Sequence, residues 1–474
     1  MLNESTIFRG AFWFSIAAFF ERVMFFILPV FIAPIGPSTL GIFYLSLRIF
    51  HSIVSLPSTI LNAYYAHKLR QYLQNPNSLQ FEEKSALFLK MYLLVGILLG
   101  VFFFTLAIAF SPIQSLGLLA LAIPFAIVNV YMMMLLRLLQ RFKKIFIIQF
   151  LFMFGFQLLY MIIFIGFFRL GIAAAFVGLL LSNVLISIAA SFFLFDSINL
   201  LGLFQKLTFK MFVVSPFPLL NALYATVFPM LDISIVGLLF GFSTLGHYIV
   251  FLYLPLIIHK IPTTLFSMFL HVASVKTRKY EDITQISKQV FKWILIITIP
   301  VFISIMLYPS FILSFLFHKS YIKDFAIIQL LSISFFIQTI SWTAGRILLA
   351  KKKIFLYTFT NYSFGVVFVL LALFLASPFG IFGIALALLV FSILDALTKY
   401  VLVVTNTKVF FIGIDHLKTL LAGALTSFLI YILFSNNPLL SLSFLLVFYF
   451  AILWISGVIN QGTFFELKKI PKYD

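Results

Sequence analysis

Residues 36–59 (GPSTLGIFYLSLRIFHSIVSLPST) and 241–264 (GFSTLGHYIVFLYLPLIIHKIPTT) align without a gap at an offset of 205 positions and share nine of 24 residues. Leu and Ile matches come easily in so apolar a chain, and two of the nine are discounted on that ground. The informative identities are an unbroken Ser-Thr-Leu-Gly (Ser38 to Gly41, Ser243 to Gly246), a leading glycine (Gly36, Gly241) and a proline within the following helix (Pro57, Pro262). Gly, Pro, Ser and Thr held at fixed offsets are the mark of a duplicated structural unit, and duplicated bundles are a common architecture among membrane carriers.

The composition around the repeat requires a membrane. Of 474 residues 63% are hydrophobic, 9% are charged and 65 are Phe, far too little polar surface to close a water-soluble globule. The absence of Cys excludes disulfides, thiolate metal sites, thiol catalysis and lipid attachment through Cys. The first apolar segment begins within about ten residues of Met1 and has neither the shortness nor the small-residue cleavage site of a signal peptide, so it is expected to be a retained span.

Windows of about 20 apolar residues, long enough to cross ~30 Å of hydrocarbon, recur about fourteen times. The first six centre near Phe20, Ser52, Gly100, Asn129, Phe156 and Leu181, and the next six near Thr226, Ile257, Val301, Phe336, Val367 and Leu389. The last two centre near Ser427 and Phe448. Connections at 33–37, 111–115, 241–244 and 377–380 carry Pro, Gly and Ser without charge and read as tight turns on one side. The other side collects about 26 of the 32 Lys and Arg, in groups such as Arg137 to Lys144 after span four, Lys276 to Lys292 after span eight and Lys351 to Lys353 after span ten. Arg169, Lys319 and Lys323 lie opposite, while Arg22, Arg48 and Lys260 fall within spans. The positive-inside rule then puts both termini in the cytoplasm of a multi-pass cell-membrane protein. The net charge of +19 becomes a topology signal with attraction to an anionic inner leaflet. No nucleic-acid partner is expected, because that footprint needs basic residues clustered on one folded face.

Six spans separate the two copies, so both run in the same direction through the bilayer and the repeat is parallel. The expected fold is therefore an all-α integral membrane protein of two parallel six-helix lobes plus two C-terminal helices. The N-lobe would be residues 1–198, an interfacial linker 199–211, the C-lobe 212–410, and spans thirteen and fourteen with a cytoplasmic tail 411–474. In the linker, apolar residues interleaved with Gln205, Lys206 and Lys210 read equally as an interfacial helix or a plain polar connector.

No loop is long enough for a catalytic domain; the largest, around 69–85, has about 17 residues. Phosphate-binding Gly-rich loops, His-Glu-x-x-His and paired acidic motifs are absent, so neither an enzyme nor a metal site is expected. Attention moves to ionisable residues inside the hydrocarbon, which cost about 2.5–3.5 kcal/mol each on insertion scales and tend to carry function. Glu21 and Arg22 sit roughly 14 residues, or ~21 Å, along span one, and Arg48 about ten residues, ~15 Å, down span two from the opposite side. Arg22 and Arg48 thus reach similar depth, and paired guanidinium groups make an anion site suited to a diphosphate. The competing reading is a structural pair with Glu21 or another acid. Lys260 in span eight is a second anion contact or snorkels to the cytoplasmic interface. Asp232, in the outer part of span seven, and Glu21 are candidates for ion coupling by a proton or Na+, or for gating; Asp232 alternatively braces a Lys or Arg. Asp395 and Lys399 at i, i+4 read as a local ion pair.

Arg22 in span one, the turn at 36–43 (GPSTLGIF), Asp232 followed by Gly246-His247-Tyr248, Gly345-Arg346 ending span ten and residues 380–385 (GIFGIA) opening span twelve resemble a known family in order and spacing. Over essentially its whole length the chain resembles the polysaccharide-export branch of the multidrug/oligosaccharidyl-lipid/polysaccharide (MOP) flippase superfamily. The resemblance implies a MATE-like fold and alternating access. Its cargo would be a polyprenyl-diphosphate-linked oligosaccharide, moved from the cytoplasmic to the outer leaflet among membrane lipids. The resemblance also implies a headgroup cavity at Arg22, Arg48 and, less directly, Lys260, and gives spans thirteen and fourteen the tail-groove role they have in lipid II flippases. The cavity here is less Arg-rich than in those proteins, which favours a repeat-unit flippase. A MATE-type drug exporter shares the fold, but would use an acidic, aromatic site and need only twelve spans. A polymerase or static scaffold is a further alternative, and a polymerase would carry a sizeable outer loop.

Overall fold

The computed structural model describes residues 27–74, 78–109, 116–195, 216–276, 280–317, 324–434 and 437–459, with the single positions 13, 16, 20, 198 and 321. Among these residues there is no strand, and eleven helices are long and apolar enough to cross a bilayer. Spans two to six are Pro37–Gln74, Ser78–Ala109, Leu116–Leu138, Phe142–Phe167 and Gly171–Leu194. Spans nine, ten, thirteen and fourteen are Tyr280–Leu307, Phe325–Ala350, Ile414–Phe434 and Pro438–Ile455.

The remaining two helices, Pro216–Lys276 and Ile354–Thr407, have 61 and 54 residues. Straight, they would be ~90 and ~80 Å long against ~30 Å of hydrocarbon. Each is interrupted at one glycine, Gly241 (φ 79°, ψ 174°) and Gly380 (φ 59°, ψ −137°), in backbone conformations that favour a residue without Cβ. Side chains across each break show the chain doubling back. Tyr248 Oη donates to Asp232 Oδ2 at 3.1 Å although the two are 16 residues apart, and the rings of Phe368 and Phe391 lie 5.9 Å apart. Spans seven and eight are therefore one hairpin, and eleven and twelve another. Counting each folded helix twice, the eleven make thirteen crossings. Span one, the turn at 111–115, the linker 199–211 and the tail from 460 fall wholly or largely outside the described residues.

The chain divides into two compact units, residues 1–250 and 251–474. In the first, span four is the hub, packed against spans two, three and six. With no water in hydrocarbon, its polar groups must be satisfied within the protein. Asn129 Nδ2 donates to the Asn183 carbonyl oxygen at 2.9 Å, Ser187 Oγ donates to Asn129 Oδ1 at 2.6 Å, and Tyr131 Oη donates to the Ser85 carbonyl oxygen at 2.7 Å. Span five departs from α geometry and is π-helical over Gln149–Phe156 and Met161–Phe167. Apolar side chains such as Leu98, Val101 and Ile108 stay exposed on span three, as a lipid-facing surface allows.

In the second unit, spans thirteen and fourteen are built onto span nine. Lys292 and Asp415 form an ion pair at 3.2 Å. His416 Nε2 lies 3.0 Å from the Lys288 carbonyl oxygen, and its ring stacks on Phe291. Tyr308 Oη donates to Ser441 Oγ at 2.8 Å, tying span fourteen to the end of span nine. The common core includes Phe291, Ile299, Leu348, Val403, Ile430 and Tyr449.

Candidate functional site

Gly36 and Gly241 both adopt positive φ, 140° and 79°, so the two repeat copies begin with a glycine turn and descend from the same side. At the fifth residue of span two and five residues beyond Gly241, the helices meet. A Cβ on Gly41 would run into the Phe242 carbonyl oxygen, and a Cβ on Gly246 into that of Pro37. The contact is reciprocal, each copy's Ser-Thr-Leu-Gly glycine lying on the start of the other, and only glycine permits so close an approach.

Below this crossing lies the charge cluster. Arg48 is eleven residues beyond Pro37, ~16 Å down span two, and Asp232 is nine residues before Gly241, ~14 Å along span seven. They stand at one level, close enough to interact electrostatically. Asp232 is 9% exposed, Tyr248 on the facing arm of the hairpin is fully buried and donates to it, and Arg48 is half-buried. The Arg48 Cζ lies 5.9 Å from the centre of the Tyr44 ring one turn above, within the range of a cation–π contact. Phe43 stacks on Phe176 of span six at 5.5 Å, fixing the rotation of span two that brings Arg48 to this side. One turn below, Ser52 Oγ sits 3.0 Å from the Thr226 carbonyl oxygen and 2.7 Å from Met230 Sδ. Its single proton serves one acceptor at a time, and either bond pins span two to span seven.

Of the residues expected to form the site, Arg48 and Asp232 are the two whose side chains are described, and they lie near enough for their charges to interact. Glu21 and Arg22 lie outside the described residues. The backbone of Lys260 continues the helix of span eight, while its side chain lies outside the description. Tyr44, Ser52 and Tyr248 were not named as site residues from sequence. Tyr44 precedes Arg48 by four residues, and Tyr248 stands nearly as far after Gly241 as Asp232 stands before it; both signals become readable once the hairpin is known.

A second buried charge cluster lies in the other unit. Lys399 Nζ is 2.8 Å from Asp395 Oδ2, the local pair expected at i, i+4, and Ser341 Oγ of span ten donates to the same oxygen. Lys399 is 5% exposed within the helix. Arg346 stacks on Trp342, with its Cζ 4.0 Å from the ring centre. Among the described residues no group of three His, Asp or Glu is placed to hold a metal ion.

No family model and no curated protein matches the sequence. Solved structures do match. An inward-facing multidrug resistance MATE family transporter of the MOP superfamily aligns at 14% identity over 82% of this chain and 95% of its own, with a TM-score of 0.69. A MATE transporter in the straight conformation aligns at 14% identity over 85% and 96%, with a TM-score of 0.62. The lipid II flippase MurJ, in an inward closed conformation, aligns at 15% identity over 94% of this chain and 98% of its own, with a TM-score of 0.71. At such identities the likeness is one of fold: the chain is an all-α, multi-pass membrane protein with a MATE-like fold.

Proposed function

We propose that the chain is a flippase that carries a polyprenyl-diphosphate-linked oligosaccharide, a polysaccharide repeat unit, from the cytoplasmic to the outer leaflet by alternating access. The observation that carries this reading is Arg48. It is a half-buried guanidinium set deep in span two and within electrostatic reach of Asp232, in a fold otherwise used to move solutes across membranes. A sugar headgroup with its diphosphate cannot cross ~30 Å of hydrocarbon unaided. A guanidinium suits diphosphate because its planar fork offers paired donors. Arg22 and Lys260 are proposed as further anion contacts, with a proton or Na+ as the coupling ion. The lobes at 1–198 and 212–410 would be the moving parts.

Length supports a lipid cargo. MurJ matches 94% of this chain against 82–85% for the MATE transporters, a difference of about a tenth of the chain and similar in size to spans thirteen and fourteen. A second reading, a cation-coupled drug exporter, is favoured by one observation, the buried carboxylate of Asp232 beside Tyr248. The two separate in proteoliposomes loaded with a fluorescent polyprenyl-diphosphate oligosaccharide. Wild type is expected to move the headgroup across the bilayer, and Arg48→Ala to slow it by about 10–100-fold, the usual range for losing one charge-assisted contact. Undiminished flipping by Arg48→Ala would remove the anion site, and proton- or Na+-driven cation efflux without lipid movement would establish the exporter.

A further inference from the structure

We propose that the connection between spans twelve and thirteen is a docking surface for anionic phospholipid, with the lipid phosphate held by Lys408 and its acyl chains laid on Phe410, Ile412 and Ile414. An excess of Lys implies attraction to anionic lipid without saying where it acts. The backbone supplies a place.

The exposed residues along this stretch change character twice. Leu397 and Val401 are lipid-facing residues of span twelve. Thr405, Asn406 and Lys408 then make the exposed face polar where the helix ends. Beyond it Phe410, Ile412 and Ile414 are 52%, 38% and 73% exposed, while Val409 and Phe411 between them are buried. Alternation of period two is that of extended chain lying on a surface, one row turned in and one turned out. The inward row is fixed: the Phe411 ring lies 5.2 Å from that of Phe291 and 5.3 Å from that of Tyr400. The outward row is apolar in a connection that water would favour as polar, so hydrocarbon is what it suits. From Lys408 onward the chain thus offers first a cation and then an apolar row, the order in which a phospholipid presents phosphate and acyl chain.

Lys408 also holds a conformation that glycine fills most easily. It closes span twelve at φ 54°, ψ 23°, its N–H bonded to the Val404 carbonyl oxygen at 3.1 Å in a left-handed cap. Spans ten and fourteen of the same unit show when glycine is replaced. Span fourteen ends at Gly457, φ 72°, and the chain after it turns inward, Val458 and Ile459 being buried. Span ten ends with the same pair of backbone bonds around Lys352, φ 59°, and the residues after it, Ile354 and Phe355, are exposed and apolar. Lysine takes the glycine position where exposed apolar residues follow, and glycine keeps it where they do not. Lys408 takes part in neither of the ion pairs Lys292–Asp415 and Lys399–Asp395, which leaves its ammonium to an outside anion.

The chain has no Cys, so a single introduced one reports on the lipid beside it. Leu417→Cys, at an exposed position one turn into span thirteen, carries a fluorescent label, and Phe374→Cys, exposed near the far end of span eleven, is the control. The full chain is reconstituted in vesicles of equal parts phosphatidylcholine and phosphatidylglycerol, with a nitroxide quencher on the acyl chains of one lipid or of the other. Quenching at Leu417→Cys is expected to report about three- to fivefold enrichment of phosphatidylglycerol, as one cation near an anionic headgroup provides, and quenching at Phe374→Cys none. Lys408→Gly should remove most of that enrichment and, by relieving the left-handed cap, leave thermal stability in pure phosphatidylcholine unchanged or higher. Lys408→Asn, neutral and also at home in this conformation, is the second variant. Protection of Leu417→Cys from both quenchers, as a second copy of the chain seated there would give, overturns the proposal. So do equal quenching by the two lipids and an enrichment that survives both variants. A loss of stability in phosphatidylcholine by both variants would assign Lys408 to the helix end itself and overturn it as well.

Discussion

Lys399 sits 5% exposed inside a membrane helix, and its ammonium shares one carboxylate oxygen of Asp395 with the Ser341 hydroxyl. Nζ also lies 5.7 Å from the centre of the Tyr357 ring. The i, i+4 spacing made the pair legible in sequence; its burial and the third member from span ten were not, because neither follows from spacing along one helix. Such a cluster is unforgiving of partial removal. Asp395→Ala leaves an ammonium in a dry interior and is expected to cost about 3–5 kcal/mol of stability, whereas Asp395→Leu with Lys399→Met removes both charges and is expected to lie within about 1 kcal/mol of wild type. Thermal unfolding of the single and double variants in detergent reads both numbers, and equal losses would mean that the charges are not paired as described. Asp232 presents the contrasting case: its type and depth were readable in sequence, while its hydrogen bond from Tyr248 required the turn at Gly241.

At the scale of elements, glycine governs where helices turn and where they touch. The repeated Ser-Thr-Leu-Gly announced a duplication, and the structure assigns its last residue a physical task at the crossing of spans two and eight. Gly41→Ala and Gly246→Ala place a Cβ against main-chain carbonyls, which cannot rotate aside. Each is expected to cost about 1–3 kcal/mol, in the range of overpacking. Gly117→Ala is the internal control. Its added Cβ would meet nothing nearer than the Phe104 ring at 3.7 Å, so the substitution should be neutral or slightly stabilising, as Ala is the better helix former. Differential scanning fluorimetry on the three variants separates close approach from helix propensity; a loss in Gly117→Ala as large as in the others would refute the crossing. Span five shows the opposite limit of legibility. Its apolar length was visible, but the π-helical stretches were not, since a wider turn changes hydrogen-bond register without changing composition. The aromatic run Phe146, Phe150 and Phe154, stacked along one side with Phe20 against it, is consistent with either helix type when read as a string.

For the molecule as a whole, the places of spans two to fourteen were readable because hydrocarbon thickness sets span length, a linear property of a sequence, while the placement of Lys and Arg sets the sidedness expected of them. The turns at Gly36 and Gly241 are six crossings apart, and those at Gly241 and Gly380 four, so an even count of crossings leads one to expect all three on one side of a bilayer. The connections at Gln140 and at Lys352 each lie three crossings from the nearest preceding glycine turn, and so belong on the other. Parity of crossings and placement of charge lead to the same expectation of sidedness. The chain's lack of Cys makes the agreement testable without a prior cysteine-free variant. Ser243, Ser377, Gln140 and Lys352 are exposed positions for single substitutions to Cys. In intact protoplasts a membrane-impermeant maleimide is expected to label Ser243→Cys and Ser377→Cys, and to reach Gln140→Cys and Lys352→Cys only after permeabilisation. Labelling of Ser243→Cys and Ser377→Cys from opposite sides would break the hairpin reading of one long helix. A uniform reversal would keep the fold and invert the direction of transport proposed for it.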